Sequence, residues 1–82
     1  MRFMGVINYD KGLYNVLSSS GISQPYWPNI CNIGDTYRIG TASDSEATFA
    51  GYKCESGDML ICIKDNNDNN ISTNDKEYWA VI

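Results

Sequence analysis

Histidine is absent from this chain. Its absence removes the commonest general base, the serine-type triad and the commonest zinc ligand. Basic residues are few as well, six Lys and Arg against ten Asp and Glu, for a net charge of -4. Without clustered Lys and Arg there is no electrostatic footprint for a phosphate backbone. The acidic excess also falls short of the dense carboxylate array that a nucleic-acid mimic needs, and it reads as solubility. No apolar run approaches the ~18 residues of a membrane span, and no basic-then-apolar leader opens the chain. Neither nucleic acid nor membrane insertion is therefore expected.

What is present fits one small domain. The chain has 82 residues, 43% of them apolar and 20% charged, an ordinary balance for a globular protein. A domain of this length buries only about 60–65% of the surface its unfolded chain exposes, so its net stability is small. Three cysteines, Cys31, Cys54 and Cys62, cannot all pair within one chain, and none stands in a C-x-x-C arrangement. Cys62 lies in the run Met59-Leu60-Ile61-Cys62-Ile63, where a thiol behaves as a small hydrophobe. The three read as reduced, buried thiols of a protein made in a reducing cytosol.

The chain opens with Arg2-Phe3-Met4-Gly5-Val6-Ile7, a run of β-formers that gives a first strand over 1–7. Residues 8–33 read as irregular. Within them Leu13, Val16 and Leu17 fall at i, i+3 and i+4, with Asp10 as N-cap, which permits one short helix near 11–18. Gly12 weakens that helix and the run Ser18-Ser19-Ser20-Gly21 ends it. Pro25 and Pro28 then bound a loop around Tyr26-Trp27.

Residues 34–82 read as β throughout. Tyr37 and Ile39 alternate on one face after the turn Gly34-Asp35. A polar connection joins Ala42 to Ala47, and Thr48 to Cys54 reads as a strand with Gly51 at a bulge. After the turn Gly57-Asp58, Met59 to Lys64 is apolar on both faces, as in a strand covered on both sides. A long polar connection precedes the closing strand Glu77-Tyr78-Trp79-Ala80-Val81-Ile82. The sum is a mostly β fold, a small antiparallel sandwich or barrel of about five strands. In each Gly-Asp corner the glycine supplies positive φ and the aspartate caps the turn's amides.

Few residues point to chemistry. Glu46, Glu55 and Glu77 are scattered without a partner, and the glycines show no phosphate-binding spacing. Non-enzymatic function, with no catalytic residue and no cofactor, is the expectation. The segment 65–77 raises the question of a cation. Counting from Asn66 places Asp68, Asn70 and Glu77 at positions 3, 5 and 12, and counting from Asp65 places Lys76 at 12. Neither frame has the glycine at position 6 of an EF-hand, so a solvated loop held by Asx-type bonds is the simpler reading. Among the aromatics, Trp79 reads as core, whereas Tyr26, Trp27 and Tyr78 are candidates for a ligand or interface surface.

One ordered series of motifs adds to this. Phe3-Met4-Gly5-Val6, Pro28, Ile33-Gly34-Asp35-Thr36-Tyr37-Arg38-Ile39, Phe49-Ala50-Gly51, Glu55-Ser56-Gly57-Asp58-Met59-Leu60-Ile61 and Tyr78-Trp79-Ala80-Val81-Ile82 follow one another. The series resembles a small β module common in tailed-bacteriophage fibre and appendage proteins. The likeness covers Pro28 to Ile82 and is thin before that; Asp10 to Ser23 departs from it like an insertion. The resemblance implies a virion structural protein, assembled in the bacterial cytoplasm and often trimeric around a fibre axis. It implies that Gly34, Asp35, Gly57 and Asp58 shape turns, and that Tyr37, Leu60, Ile61 and Trp79 fill the core. With Met1 only two residues before the first motif, a small complete head-fibre, tail-fibre or decoration component is the expectation. Partners are then copies of the chain, as a homotrimer, and other virion proteins. Two other readings stand beside it: a carbohydrate-binding module presenting Tyr26, Trp27 and Tyr78 to a host surface glycan, and a small phage-encoded inhibitor of a host protein.

Overall fold

The computed structural model describes residues 1–42 and 47–82. Its described residues form a mostly β fold with strands and no helix. The strands are β1 (Arg2–Asp10), β2 (Leu13–Ser18), β3 (Ser23–Gln24), β4 (Asp35–Ala42), β5 (Met59–Cys62) and β6 (Trp79–Val81). They make one six-stranded sheet in the order β3-β2-β1-β4-β5-β6. The sheet is mixed rather than wholly antiparallel, because β1 and β4 at its centre run parallel. A parallel pair needs a long crossover, and residues 11–34 supply it while adding β2 and β3 to one edge.

The short helix near 11–18 does not form. Asp10 pairs with Leu13 across the two-residue loop Lys11-Gly12, in which both residues have positive φ, 52° and 84°. That is the turn whose twist matches a β-hairpin, and it makes Leu13–Ser18 a strand. Tyr14, Val16 and Ser18 then face the core, while Leu13, Asn15 and Leu17 face away. Residues 8–33 are thus not an irregular insertion: β1 runs on to Asp10, β2 and β3 follow, and only 25–33 is loop. The serine-rich stretch is the β2–β3 turn, closed by Ser18 N–H to Ile22 O at 2.8 Å and Ile22 N–H to Ser18 Oγ at 3.0 Å.

Thr48 to Cys54 is a second correction. Phe49 and Tyr52 exchange both backbone hydrogen bonds, at 2.7 and 2.9 Å, around Ala50 (φ 53°) and Gly51 (φ 79°). The segment is a tight turn folded over the sheet, where Phe49 and Ala50 are fully buried. Of the polar connection expected between Ala42 and Ala47, the inner four positions lie outside the described residues.

One face of the sheet carries the core. Ile7, Ile39, Leu60 and Trp79 are fully buried there, with Val16, Tyr37 and Cys62. The loops 25–33, 47–54 and 63–78 close over them, contributing Trp27, Cys31, Phe49, Cys54 and Tyr78. Aromatic rings meet edge to face through this layer, Tyr14 with Phe49 at 5.9 Å and with Trp27 at 5.4 Å, and Tyr37 with Trp79 at 5.7 Å. Contrary to expectation, β5 is covered on one side only. Leu60 and Cys62 are buried, Met59 and Ile61 are half-buried and Ile63 is exposed. Ile61 accordingly lies outside the core.

Candidate functional site

The two Gly-Asp corners are built alike. Asn32-Ile33-Gly34-Asp35 closes with Asp35 N–H to Asn32 O at 2.9 Å, and Glu55-Ser56-Gly57-Asp58 with Asp58 N–H to Glu55 O at 3.0 Å. Gly34 (φ 96°) and Gly57 (φ 98°) hold the left-handed third position of each turn. Each aspartate reaches back with Oδ2 to the N–H of the turn's first residue, Asn32 at 3.0 Å and Glu55 at 2.8 Å. The corners launch β4 and β5, which pair antiparallel with Tyr37 opposite Leu60. Gly34 N–H donates to Cys62 O at 2.9 Å, and Gly57 N–H donates to Ile39 O at 2.8 Å. These bonds exchange under a local two-fold axis between Tyr37 and Leu60. Gly34, Asp35, Gly57 and Asp58 therefore shape turns, as read from the sequence.

The corners differ in their surroundings. Asp35 is buried and takes the Arg2 guanidinium on Oδ1, from Nε at 3.1 Å and Nη2 at 2.8 Å. Asp58 is half-buried, and among the described residues no ion pair reaches it. The Tyr37 hydroxyl is pushed up to about 12 by burial, with Asp35 adding to the rise.

Of the three candidate aromatics, the structure exposes one. Tyr26 is 65% exposed, whereas Trp27 and Tyr78 are both 8% exposed. Trp27 stands edge-on to Trp79 at 6.0 Å, and its indole N–H donates to Thr73 Oγ1 at 3.2 Å. Trp79 donates to the same oxygen at 3.4 Å, and Thr73 donates to Pro28 O at 2.8 Å. The Pro-bounded loop is thus drawn onto the core by a polar residue 46 positions away. Beside it lies a cleft of about 490 Å³, with Tyr26 on its wall and the carboxamides of Gln24, Asn29 and Asn69 around it. The broad stacking platform of Tyr26, Trp27 and Tyr78 is not formed.

The acidic side chains of the segment 65–77 are engaged by backbone amides and by one lysine. Asp65 Oδ1 accepts from Ile33 N–H at 2.7 Å, Asp68 Oδ1 from Asn70 N–H at 2.9 Å, and Asp75 Oδ1 from Glu77 N–H at 2.8 Å. Glu77 pairs with Lys64, whose ammonium is held charged to higher pH by that contact. Among the described residues no three His, Cys, Asp or Glu side chains converge as a metal would require. Asn66, named in the sequence only as the first position of a cation frame, has a structural role instead. It is buried, exchanges backbone bonds with Cys31 at 2.8 and 3.0 Å, and donates its carboxamide to Asn29 O and Asp68 O at 2.8 and 2.9 Å. Neither Asn66 nor Thr73 stands out from its polar neighbours in the sequence.

All three thiols are free and buried. Cys31 and Cys62 both donate to Lys64 O, at 3.5 and 3.1 Å. Burial, with the bond to Cys62 adding, pushes the Cys31 thiol up to about 12, and burial raises Cys54. Thiols held neutral in this way are poor nucleophiles. Glu55 and Glu77 are exposed, and Glu46 lies outside the described residues. Among the described residues no helix is long and apolar enough to cross a membrane. No family model, curated protein or solved structure matches the chain.

Proposed function

We propose that this chain is a non-enzymatic structural protein of a bacteriophage virion, a component of a fibre or of a head or tail appendage. It acts by associating with copies of itself and by attaching to other virion proteins. The observation that carries this reading is the matched pair of Gly-Asp corners, set in the motif order that ends on the Trp79 strand. A small β unit gains stability from association, since a partner covers apolar surface that the monomer leaves wet. Mass spectrometry of gradient-purified particles from the encoding strain tests the reading. Peptides of this chain should persist in the particle fraction through a high-salt wash. Their absence, where minor virion proteins are detected, would overturn it.

The cleft favours a second reading, attachment to a neutral host glycan. Tyr26 offers an exposed ring to a sugar face, and carboxamides offer donors and acceptors to its hydroxyls. Tyr26→Ala should then abolish glycan-array binding while leaving the fold intact. An array on which the unaltered chain binds nothing removes this reading.

A further inference from the structure

Two of the three buried thiols converge on one atom. Cys31 and Cys62 lie 31 positions apart, yet both donate to Lys64 O, at 3.5 and 3.1 Å. Each residue is 1% exposed, and the two thiols also hydrogen-bond to each other. The backbone holds this meeting from both sides. Cys31 exchanges two hydrogen bonds with Asn66, at 3.0 and 2.8 Å, and Cys62 O accepts from Gly34 N–H at 2.9 Å. Ile33 N–H, on Asp65 Oδ1 at 2.7 Å, ties the same two segments between those points. The end of the Pro-bounded loop is therefore clamped along the chain that leaves β5. Cys54 is buried too, but its thiol is raised by burial and by Asp58 rather than by another cysteine.

We infer that Cys31 and Cys62 form a redox staple, which closes as a disulfide under an oxidising poise and leaves Cys54 a free thiol. Neighbouring sulfurs on a fixed backbone have a high effective concentration for one another. The step is thiol–disulfide exchange with a small-molecule disulfide. Two S–H bonds break and one S–S bond forms within the protein. The two protons and two electrons pass to the reagent, whose own S–S bond opens to two thiols. Neutral buried thiols do not meet that reagent in the closed fold, so exchange runs through transient opening. Reclosing then selects the pair that the fold holds together.

The cross-link ties the Pro-bounded loop to β5 and encloses both Gly-Asp corners and β4 in one ring. Closing a ring of that length removes entropy from the unfolded chain. The gain matters most in a domain with a small core. A reducing cytosol keeps the staple open, and an oxidising medium closes it. This device is independent of the function proposed above.

Incubation of the full chain in a glutathione redox buffer tests it, with urea just below the unfolding transition so that the fold opens and recloses. Remaining thiols are alkylated after denaturation, and cleavage before aspartate places the three cysteines on segments 10–34, 44–57 and 58–64. Segment 10–34 should be recovered joined to 58–64, lighter by two hydrogen atoms than the two thiol forms together, with 44–57 alkylated. Freed of urea, the oxidised chain should melt roughly 10 °C above the reduced one. Cys54→Ala should keep the link and the same shift relative to its own reduced form. Links through Cys54, an even mixture of pairings, or three alkylated thiols at the poise of a secretory compartment would each overturn the inference. So would a Cys31–Cys62 link that leaves the melting temperature unchanged or lowered.

Discussion

Trp27 and Trp79, 52 positions apart, donate their indole N–H groups to a single acceptor, the buried hydroxyl of Thr73, at 3.2 and 3.4 Å. That hydroxyl spends its own proton on Pro28 O, so all of its bonding capacity is used. Replacing Thr73 with Val keeps the shape but strands two indole donors and a carbonyl. Orphaned buried groups cost ~1–3 kcal/mol each. Thr73→Val should therefore lose about 2–4 kcal/mol in urea denaturation, and Thr73→Ser much less.

The two corner aspartates should respond unequally. Asp58→Ala removes one turn cap and should cost about 1 kcal/mol. Asp35→Ala removes the equivalent cap together with the buried end of the Arg2 pair. It should cost about 1 kcal/mol more, since hydrogen bonds to a charged group are the stronger kind. Paired denaturation curves decide the order.

Alkaline stability follows from the buried thiols and Tyr37. Cys31 rises from 9.0 to about 12 and Tyr37 from 10.0 to about 12, with Cys54 raised in the same direction. The folded state holds these protons after the unfolded chain has released them. Their contribution is complete below about pH 9 and is lost as pH climbs toward about 12. Melting temperature should fall through that window. In the folded protein at pH 8, a thiol-specific disulfide reagent should titrate no cysteine until denaturant is added.

Lys11 is exposed and holds φ at 52°. A left-handed conformation costs a side chain such as lysine roughly 1 kcal/mol, and asparagine tolerates it better. Lys11→Asn, which makes the hairpin loop Asn-Gly, should stabilise the protein by about 0.5–1 kcal/mol in thermal melts.

How much of this was legible depends on the range of the forces involved. The Gly-Asp corners were readable because each turn is closed within four residues. The mostly β class and the burial of Trp79 and Cys62 followed from composition and apolar runs. Leu13–Ser18 was misread because Leu13, Val16 and Leu17 match helical spacing, while the Lys11-Gly12 loop that sets a hairpin lacks the usual Asn. Trp27 was misplaced for another reason. Its partner Thr73 is remote in the chain, and no local pattern announces a loop that folds back onto the core. Tyr78 was misplaced similarly, by closure of the segment that carries it.

The parallel contact between β1 and β4 also governs how the chain can be made. On a ribosome the β1–β2 hairpin can close early, but the first strand gains its central neighbour only after β4 has emerged. Trp79, against which Trp27 and Tyr37 rest, follows all of these elements along the chain. Nascent chains that stop short of Trp79 thus carry a solvent-facing aromatic layer, and packing of the core waits on that residue in competition with aggregation.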